Sequence, residues 1–449
     1  MITFALHFGK RVKERIPWAY RAVKAYFRFM INGLYNRRYY CLDVENVPAD
    51  GTPVLMVSNH QNCLNDALGV LLAVNDRKMR FITRADAFTI NPLFKRFLLW
   101  IGLLPAYRFQ HEGEEQLSNN EDTFHHTEQD LLDGHAILIY PEAGHQDRHW
   151  LGFFTSGYTL MAFEAARKTG FQKEIFILPS ANHYSDYFGL RNDMLVRFGK
   201  PISIQPYYEL YQSQPRTAQR EVNHLVRTKI REMMLDVQDL AHYDDIDYLR
   251  NSGFGCDFAR FLQKDPGILP QKLEADKELV ARLDAASVPY DDVRSLREEM
   301  ASLGLEDRQF ERKPTLLRVI ALGLGLLLTL PLAIVALWPA IFAWVIPNHF
   351  VKKLDVMFQG TFVLAINVLV LLPVSALVTL LVEWRFIGAW SLLHAAALPF
   401  LCLFEWEWCR QARRWLADCR FLKAGRRVDA LRVARQSIFD QLKSTIYHG

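Results

Sequence analysis

Paired cysteines and a strong net charge are both missing from this 449-residue chain. The six cysteines, Cys41, Cys63, Cys256, Cys402, Cys409 and Cys419, include no C-x-x-C pair and no zinc-ligand spacing, and Cys402 lies in an apolar block. Reduced thiols in a cytoplasmic head are therefore expected, with no metal site. A net charge of +4 is too small for this length to argue for nucleic acid. The first nine residues are apolar before the charges begin, the reverse of a signal peptide's order, so secretion is not expected. No G-x-S-x-G elbow occurs, which argues against a serine hydrolase acting on lipids.

Charge is also missing locally. Asp, Glu, Lys and Arg are spread through the first 318 positions and are absent from Val319 to Pro347, Phe362 to Val382 and Ile387 to Phe404. The first two blocks exceed the ~20 residues needed to span a bilayer, and the third is marginal. A soluble head on a membrane region is the expected organisation. The same lack of charge argues against a transporter, whose ion path needs ionisable groups within the membrane.

Basic residues mark both ends of the chain. Between Lys10 and Arg38 they face only Glu14, while Ile16, Tyr20, Val23, Phe27, Met30 and Leu34 recur at helical spacing. This pattern predicts a basic amphipathic helix over residues 1–38, lying in a headgroup layer or packed on the head by its apolar face. Arginines and lysines from Arg410 to Arg435 make a basic tail, 405–449, which is expected on the cytoplasmic side. With a cytoplasmic head, an even number of crossings follows for 315–404. The two solutions are two spans with an interfacial segment, or a re-entrant first block followed by a hairpin.

Within the head, Tyr40 to Val44 and Pro53 to Ser58 read as strands joined by a turn-rich link. The second strand stops at Asn59-His60, and Asp66 follows on a predicted helix. Polar side chains at the carboxyl edge of a sheet stand where open α/β folds hold ligands. A histidine there can take the proton of an attacking hydroxyl, and a carboxylate can fix its tautomer and stabilise the imidazolium. His60 and Asp66 are the candidate catalytic pair. His145, Asp147 and His149 alternate in a later loop, but nothing near them completes a metal site.

At this point the sequence resembles the glycerolipid acyltransferase family, known for an H-x4-D block. Asn59-His60-Gln61-Asn62 resembles that block, but position five is Asn65 and the carboxylate comes one later, at Asp66. This fits the H-x5-D branch, similar to fungal glycerol-3-phosphate acyltransferases and bacterial relatives, with Asn65 as the alternative partner. Gly102 and Arg108 match the second block, and an arginine there can fork onto a phosphate. Arg84 stands where relatives carry a basic residue. Pro141-Glu142 matches the third block, with Gly144 displaced by Ala143, and a glutamate there can accept from an acceptor hydroxyl or fix the loop that does. Thr155 replaces the lysine of a later Lys-x-Gly step, so that role does not transfer. Leu178-Pro179-Ser180 matches the fourth block, and Leu195 to Ile202 resembles the end of the domain. The resemblance covers about residues 40 to 205.

The resemblance implies a fold and a function, held here as expectations. The fold class is an α/β acyltransferase domain, a central mixed sheet flanked by helices, over 39–210. A helical extension (211–314) and C-terminal transmembrane helices follow. The activity is transfer of a fatty acyl group from acyl-CoA or acyl carrier protein to glycerol-3-phosphate or 1-acylglycerol-3-phosphate. His60 and Asp66 are catalytic, and Arg108, Glu142, Gly144, Arg84 and Asn59 bind substrate. No cofactor beyond the acyl carrier is implied. The partners are a phospholipid membrane, the acyl donor and the lysolipid or glycerol phosphate acceptor. The protein is expected in the inner or cytoplasmic membrane with its head in the cytoplasm. Another lysolipid acceptor, or a lipid-binding scaffold without catalysis, is the alternative.

Overall fold

The computed structural model describes residues 17–74, 79–84, 88, 92–106, 117–142, 148–187, 190–341, 346–352 and 356–447. The chain divides into two units, Met1–Met234 and Leu235–Gly449.

The first unit opens with α1 (Trp18–Arg28), a wider π turn at Phe29–Tyr35 and β1 (Asn36–Leu42). Then follow β2 (Val54–Ser58), α2 (Cys63–Ala73), β3 (Met79–Arg84), α3 (Pro92–Trp100), β4 (Leu103–Ala106), α4 (Leu117–Leu132) and β5 (Ala136–Ile139). The unit closes with α5 (Gly157–Lys168), β6 (Phe176–Tyr184), β7 (Asn192–Phe198), β8 (Ile202–Ser203), α6 (Tyr208–Ser213) and α7 (Pro215–Met233). The strands form one mixed sheet ordered β1-β7-β6-β2-β5-β3-β4, with β8 paired to β6. Antiparallel pairing is found where β6 meets β7 and β8, and the remaining pairs are parallel.

Strand β2 is central, and all five of its residues are buried. Side chains alternate across a strand, so an unbroken apolar run requires cover on both faces. Leu55 and Val57 join Ile137, Ile139 and Ile177 under Phe163 of α5 and Val222, Val226 and Ile230 of α7. Val54 and Met56 join Ala136, Leu138 and Leu178 on the opposite face, under Val70 and Ala73 of α2. The sheet therefore fixes the end of β2 and the start of α2 from two sides.

Several boundaries differ from the sequence reading. Helix α7 presents Ala218, Val222, Val226 and Ile230 to the sheet core, so the head continues to Met233 rather than stopping at 210. Strand β6 runs through Pro179 to Tyr184, because the central position is held by neighbours on both sides of the proline. At the N-terminus the helical part ends by Tyr35, and residues 1–16 lie outside the described residues. Arg37 and Arg38 belong to β1 and donate to the Asp193 carboxylate, Arg37 through two bonds of 2.8 Å. These two arginines hold an edge of the sheet.

The second unit is helical. Helices α8 (Tyr243–Asn251), α9 (Gly253–Phe261), α10 (Leu269–Ala285), α11 (Tyr290–Ser302) and α12 (Asp307–Arg312) precede α13 (Leu316–Ala340). Then come α14 (Ile346–Val351), α15 (Val356–Ile366), α16 (Leu372–Ile387), α17 (Trp390–Ala424) and α18 (Arg426–Ile446). The expected third block is divided at Gly388, and α17 runs across the expected 404/405 boundary. The expected basic tail is a packed helix. In α18, Val428, Leu431, Ile438, Phe439 and Leu442 are buried, and Arg435 forks onto Asp307 at 2.7 and 3.0 Å.

One helix among the described residues is long and apolar enough to cross a membrane, over Leu316–Trp338. Its apolar side chains are largely uncovered, with Leu328 83% exposed.

Candidate active site

The chain leaves β2 at Ser58 and turns through residues 59–62 into α2. The turn is tight: Cys63, the first residue of α2, has φ +43°. A left-handed backbone at a non-glycine costs about 1–3 kcal/mol and persists only where neighbours over-determine it. Here the restraint comes from Asp66 in the first turn of α2. Its Oδ2 accepts from the backbone N–H of Gln61 and of Asn62, each at 2.8 Å. Asn62 Nδ2 adds a bond to the Tyr187 carbonyl at 2.6 Å.

The same Asp66 Oδ2 meets His60 Nδ1 at 2.9 Å. Its other oxygen, Oδ1, accepts from the Tyr184 hydroxyl at 2.7 Å. Asp66 is fully buried, whereas the His60 side chain is 17% exposed. A carboxylate on Nδ1 selects the tautomer with its proton there, which leaves the lone pair on Nε2. Asn65 does not meet the ring: its Nδ2 donates to Asn62 Oδ1 at 3.1 Å. The carboxylate across the longer spacer is the one on the imidazole.

The plane of the ring is set by Tyr140, which follows β5. The two rings stack with centroids 4.1 Å apart and planes 17° from parallel. The Tyr140 hydroxyl is buried without a hydrogen-bond partner among the described residues, and burial followed by the nearby Asp66 charge pushes its pKa up, so it stays neutral.

Glu142 supports the turn from the opposite side. Its Oε1 accepts from the His60 backbone N–H at 2.6 Å, and its Oε2 accepts from the Gly152 N–H at 2.8 Å. Burial pushes the carboxyl up to about 7, against the lowering effect of those two N–H bonds. Of the two roles foreseen for this glutamate, the geometry displays the loop-fixing one.

Asn59 is fully buried. Its amide donates to the Asn182 carbonyl at 3.0 Å and accepts from the Asn182 N–H at 2.7 Å, like one rung of a ladder between β2 and β6. Its described bonds thus brace the sheet end. Gln61 Oε1 accepts from the Tyr187 hydroxyl, which also meets His149 Nδ1 at 2.6 Å, and His149 is buried. Gly102 has φ +99°, and a Cβ there would lie 2.3 Å from the Met79 carbonyl, so glycine is required for the close approach. Arg108, Gly144, His145 and Asp147 lie outside the described residues, as does the Arg84 side chain, while its backbone pairs with Ala106 in β3–β4.

Tyr184, Tyr140 and Gly152 are parts of the site that sequence reasoning missed. Tyr184 lies beyond Pro179, where the sequence pattern reads as a strand end. The aromatic at 140 stood beside the Pro-Glu pair but carried no motif of its own.

Comparison with known proteins bears on this arrangement. Residues 39–182 match the family model described as Acyltransferase. Over 153 residues the chain is 27% identical to the chloroplastic 1-acyl-sn-glycerol-3-phosphate acyltransferase LPAT1 of Arabidopsis thaliana, covering 34% of this chain and 36% of that protein. Over this stretch the chain is similar to acyltransferases of the glycerolipid type. It spans about a third of the length of that curated relative. The crystal structure of the 1-acyl-sn-glycerophosphate (LPA) acyltransferase PlsC from Thermotoga maritima is also similar, at 14% identity and a TM-score of 0.35. That match covers 48% of this chain and 79% of the other. The family match begins in β1 and ends in β6, so it contains His60, Asp66, Tyr140 and Glu142 but neither Tyr184 nor α7.

Proposed function

We propose that the first unit transfers a fatty acyl group from a thioester donor, acyl-CoA or acyl carrier protein, to a hydroxyl of glycerol-3-phosphate or 1-acylglycerol-3-phosphate. The observation that carries this reading is the buried Asp66 carboxylate on His60 Nδ1 at 2.9 Å, held by two backbone N–H groups and a tyrosine. His60 Nε2 removes the proton as the acceptor oxygen attacks the thioester carbonyl. The new C–O bond forms, the C–S bond breaks, and the imidazolium returns its proton to the departing thiolate. Asp66 stabilises the imidazolium between those steps. Placing two bound substrates side by side supplies much of the rate. Arg108 and Arg84 are the candidate phosphate ligands by family resemblance, with Gly144 in the substrate loop.

A lipid acceptor calls for a membrane surface, and the uncovered apolar residues of α13, α16 and α17 support one. Helix α13, at 25 residues, is about 37 Å long against a hydrocarbon core of about 30 Å. We assign it as a membrane-embedded helix, with the head on the cytoplasmic side.

The test uses purified full-length protein, one labelled acyl-CoA and a panel of glycerol-3-phosphate, 1-acylglycerol-3-phosphate and other lysolipids. Transfer to a glycerol phosphate acceptor, lost in His60→Ala with melting temperature and membrane recovery unchanged, is the expected result. Full activity in His60→Ala would overturn the mechanism.

A further inference from the structure

Gly152 donates the backbone N–H that holds Glu142 Oε2. That N–H belongs to the peptide whose carbonyl is Leu151 O, and Arg227 Nη2 donates to that carbonyl at 3.1 Å. Arg227 Nε donates to the next carbonyl, Gly152 O, also at 3.1 Å, and the guanidinium lies 5.7 Å from the Phe153 ring centroid. One turn earlier on α7, Asn223 Nδ2 grips the Phe154 carbonyl at 3.2 Å. A cation on a peptide oxygen draws electron density through the amide and strengthens the N–H on its other side as a donor. The chain of bonds thus runs from the guanidinium, through one peptide, to Glu142 and on to the His60 backbone.

We propose that Arg227, on a helix outside the family-matched stretch, is a positioning residue for His60, acting through the Leu151–Gly152 peptide and Glu142. This rests on the acyl-transfer reading of the same site. Geometry carries it: a planar fork across two successive carbonyls needs an arginine, since an ammonium reaches both only by giving up linearity. The electrostatics agree. Besides burial and its two N–H partners, Glu142 feels Asp66 of α2, which raises its proton affinity, and Arg227 of α7, which lowers it. Arg227 therefore favours the ionised form, which accepts both N–H bonds at once.

The experiment compares full-length Arg227→Met, Arg227→Lys and Asn223→Ala with the parent. Two readouts are followed against pH: kcat with both KM values, and the rate at which diethyl pyrocarbonate modifies His60, read by peptide mass spectrometry. Arg227→Met should lower kcat by about 10- to 100-fold with much smaller changes in KM, as expected for a misplaced base. Its acid limb should move to higher pH, with activity recovering at alkaline pH, and Arg227→Lys should fall between. Native Asn223 grips the same loop without touching that peptide, so Asn223→Ala should keep the parental pH profile. An unshifted profile in Arg227→Met, or an equal shift in Asn223→Ala, would overturn the proposal. If Arg227→Met does not fold, Arg227→Lys decides by the same shift. If the parent transfers no acyl group to any acceptor, the acyl-transfer reading fails, and the His60 modification profile still decides the role of Arg227.

Discussion

Asp66→Asn is the most informative single change, because the surroundings of the carboxylate dictate how the amide must sit. Three donors converge on Oδ2: His60 Nδ1–H and the N–H groups of Gln61 and Asn62. The amide oxygen must occupy that position, which sends the NH2 toward the Tyr184 hydroxyl, and a hydroxyl can rotate to accept. The ring keeps its tautomer and the turn keeps its shape, so the substitution removes charge and little else. A carboxylate about 4 Å from the centre of an imidazolium is worth about 4 kcal/mol at an effective dielectric of about 20. The neutral hydrogen bond that remains recovers about 1 kcal/mol. The net loss of about 3 kcal/mol corresponds to about 10²-fold in kcat. In serine proteases the analogous change also imposes the wrong tautomer and costs about 10⁴-fold. The assay is single-turnover acyl transfer from labelled acyl-CoA, with Asn65→Ala measured alongside. Retention of kcat within a few-fold in Asp66→Asn, or a larger loss in Asn65→Ala, would refute the assignment of Asp66.

Two further outcomes follow from the same geometry. Because burial holds the Glu142 carboxyl near about 7, it protonates as pH falls through that value and turns an O–H against one of its two N–H donors. kcat should fall on the acid side in parallel. Stability has the opposite sign: the folded state holds this proton more tightly than the unfolded chain, whose value is 4.5, so Glu142 contributes stability that declines as pH rises from 4.5 to about 7. Glu142→Gln should flatten the acid limb of kcat and reduce the pH slope of the urea midpoint; an unchanged acid limb would remove Glu142 from the account. Tyr140→Phe should leave kcat unchanged, since the hydroxyl it removes has no hydrogen-bond partner among the described residues. Tyr140→Leu should lose about 3- to 10-fold, in line with the ~0.5–1.5 kcal/mol of an aromatic stack, and equal rates for the two variants would show that the stack is incidental.

The sequence by itself determined the α/β character of the head, the end of β2 at Asn59-His60, and the ordered blocks that resemble those of acyltransferases. Those features are local: a continuous apolar run needs two covered faces, and a polar break at its carboxyl end marks a sheet edge. It also contained the apolar stretches of the second unit, which composition alone reveals. Tertiary structure decided which side chain each polar group meets. The choice of Asp66 over Asn65 depended on the tight turn with Cys63 at positive φ, since one residue along a helix rotates a side chain by about 100°. Arg227 joined the site only because α7 packs on the sheet core, and an exposed-looking arginine in a charged amphipathic helix carries no local sign of its target. Tyr184 was hidden for a related reason: a proline in mid-strand reads as a terminus until neighbouring strands supply the pairing that carries the backbone past it. Periodicity and motif order are written along the chain, while the convergence of β2, α2, β5, β6 and α7 on one imidazole exists only after the core has closed.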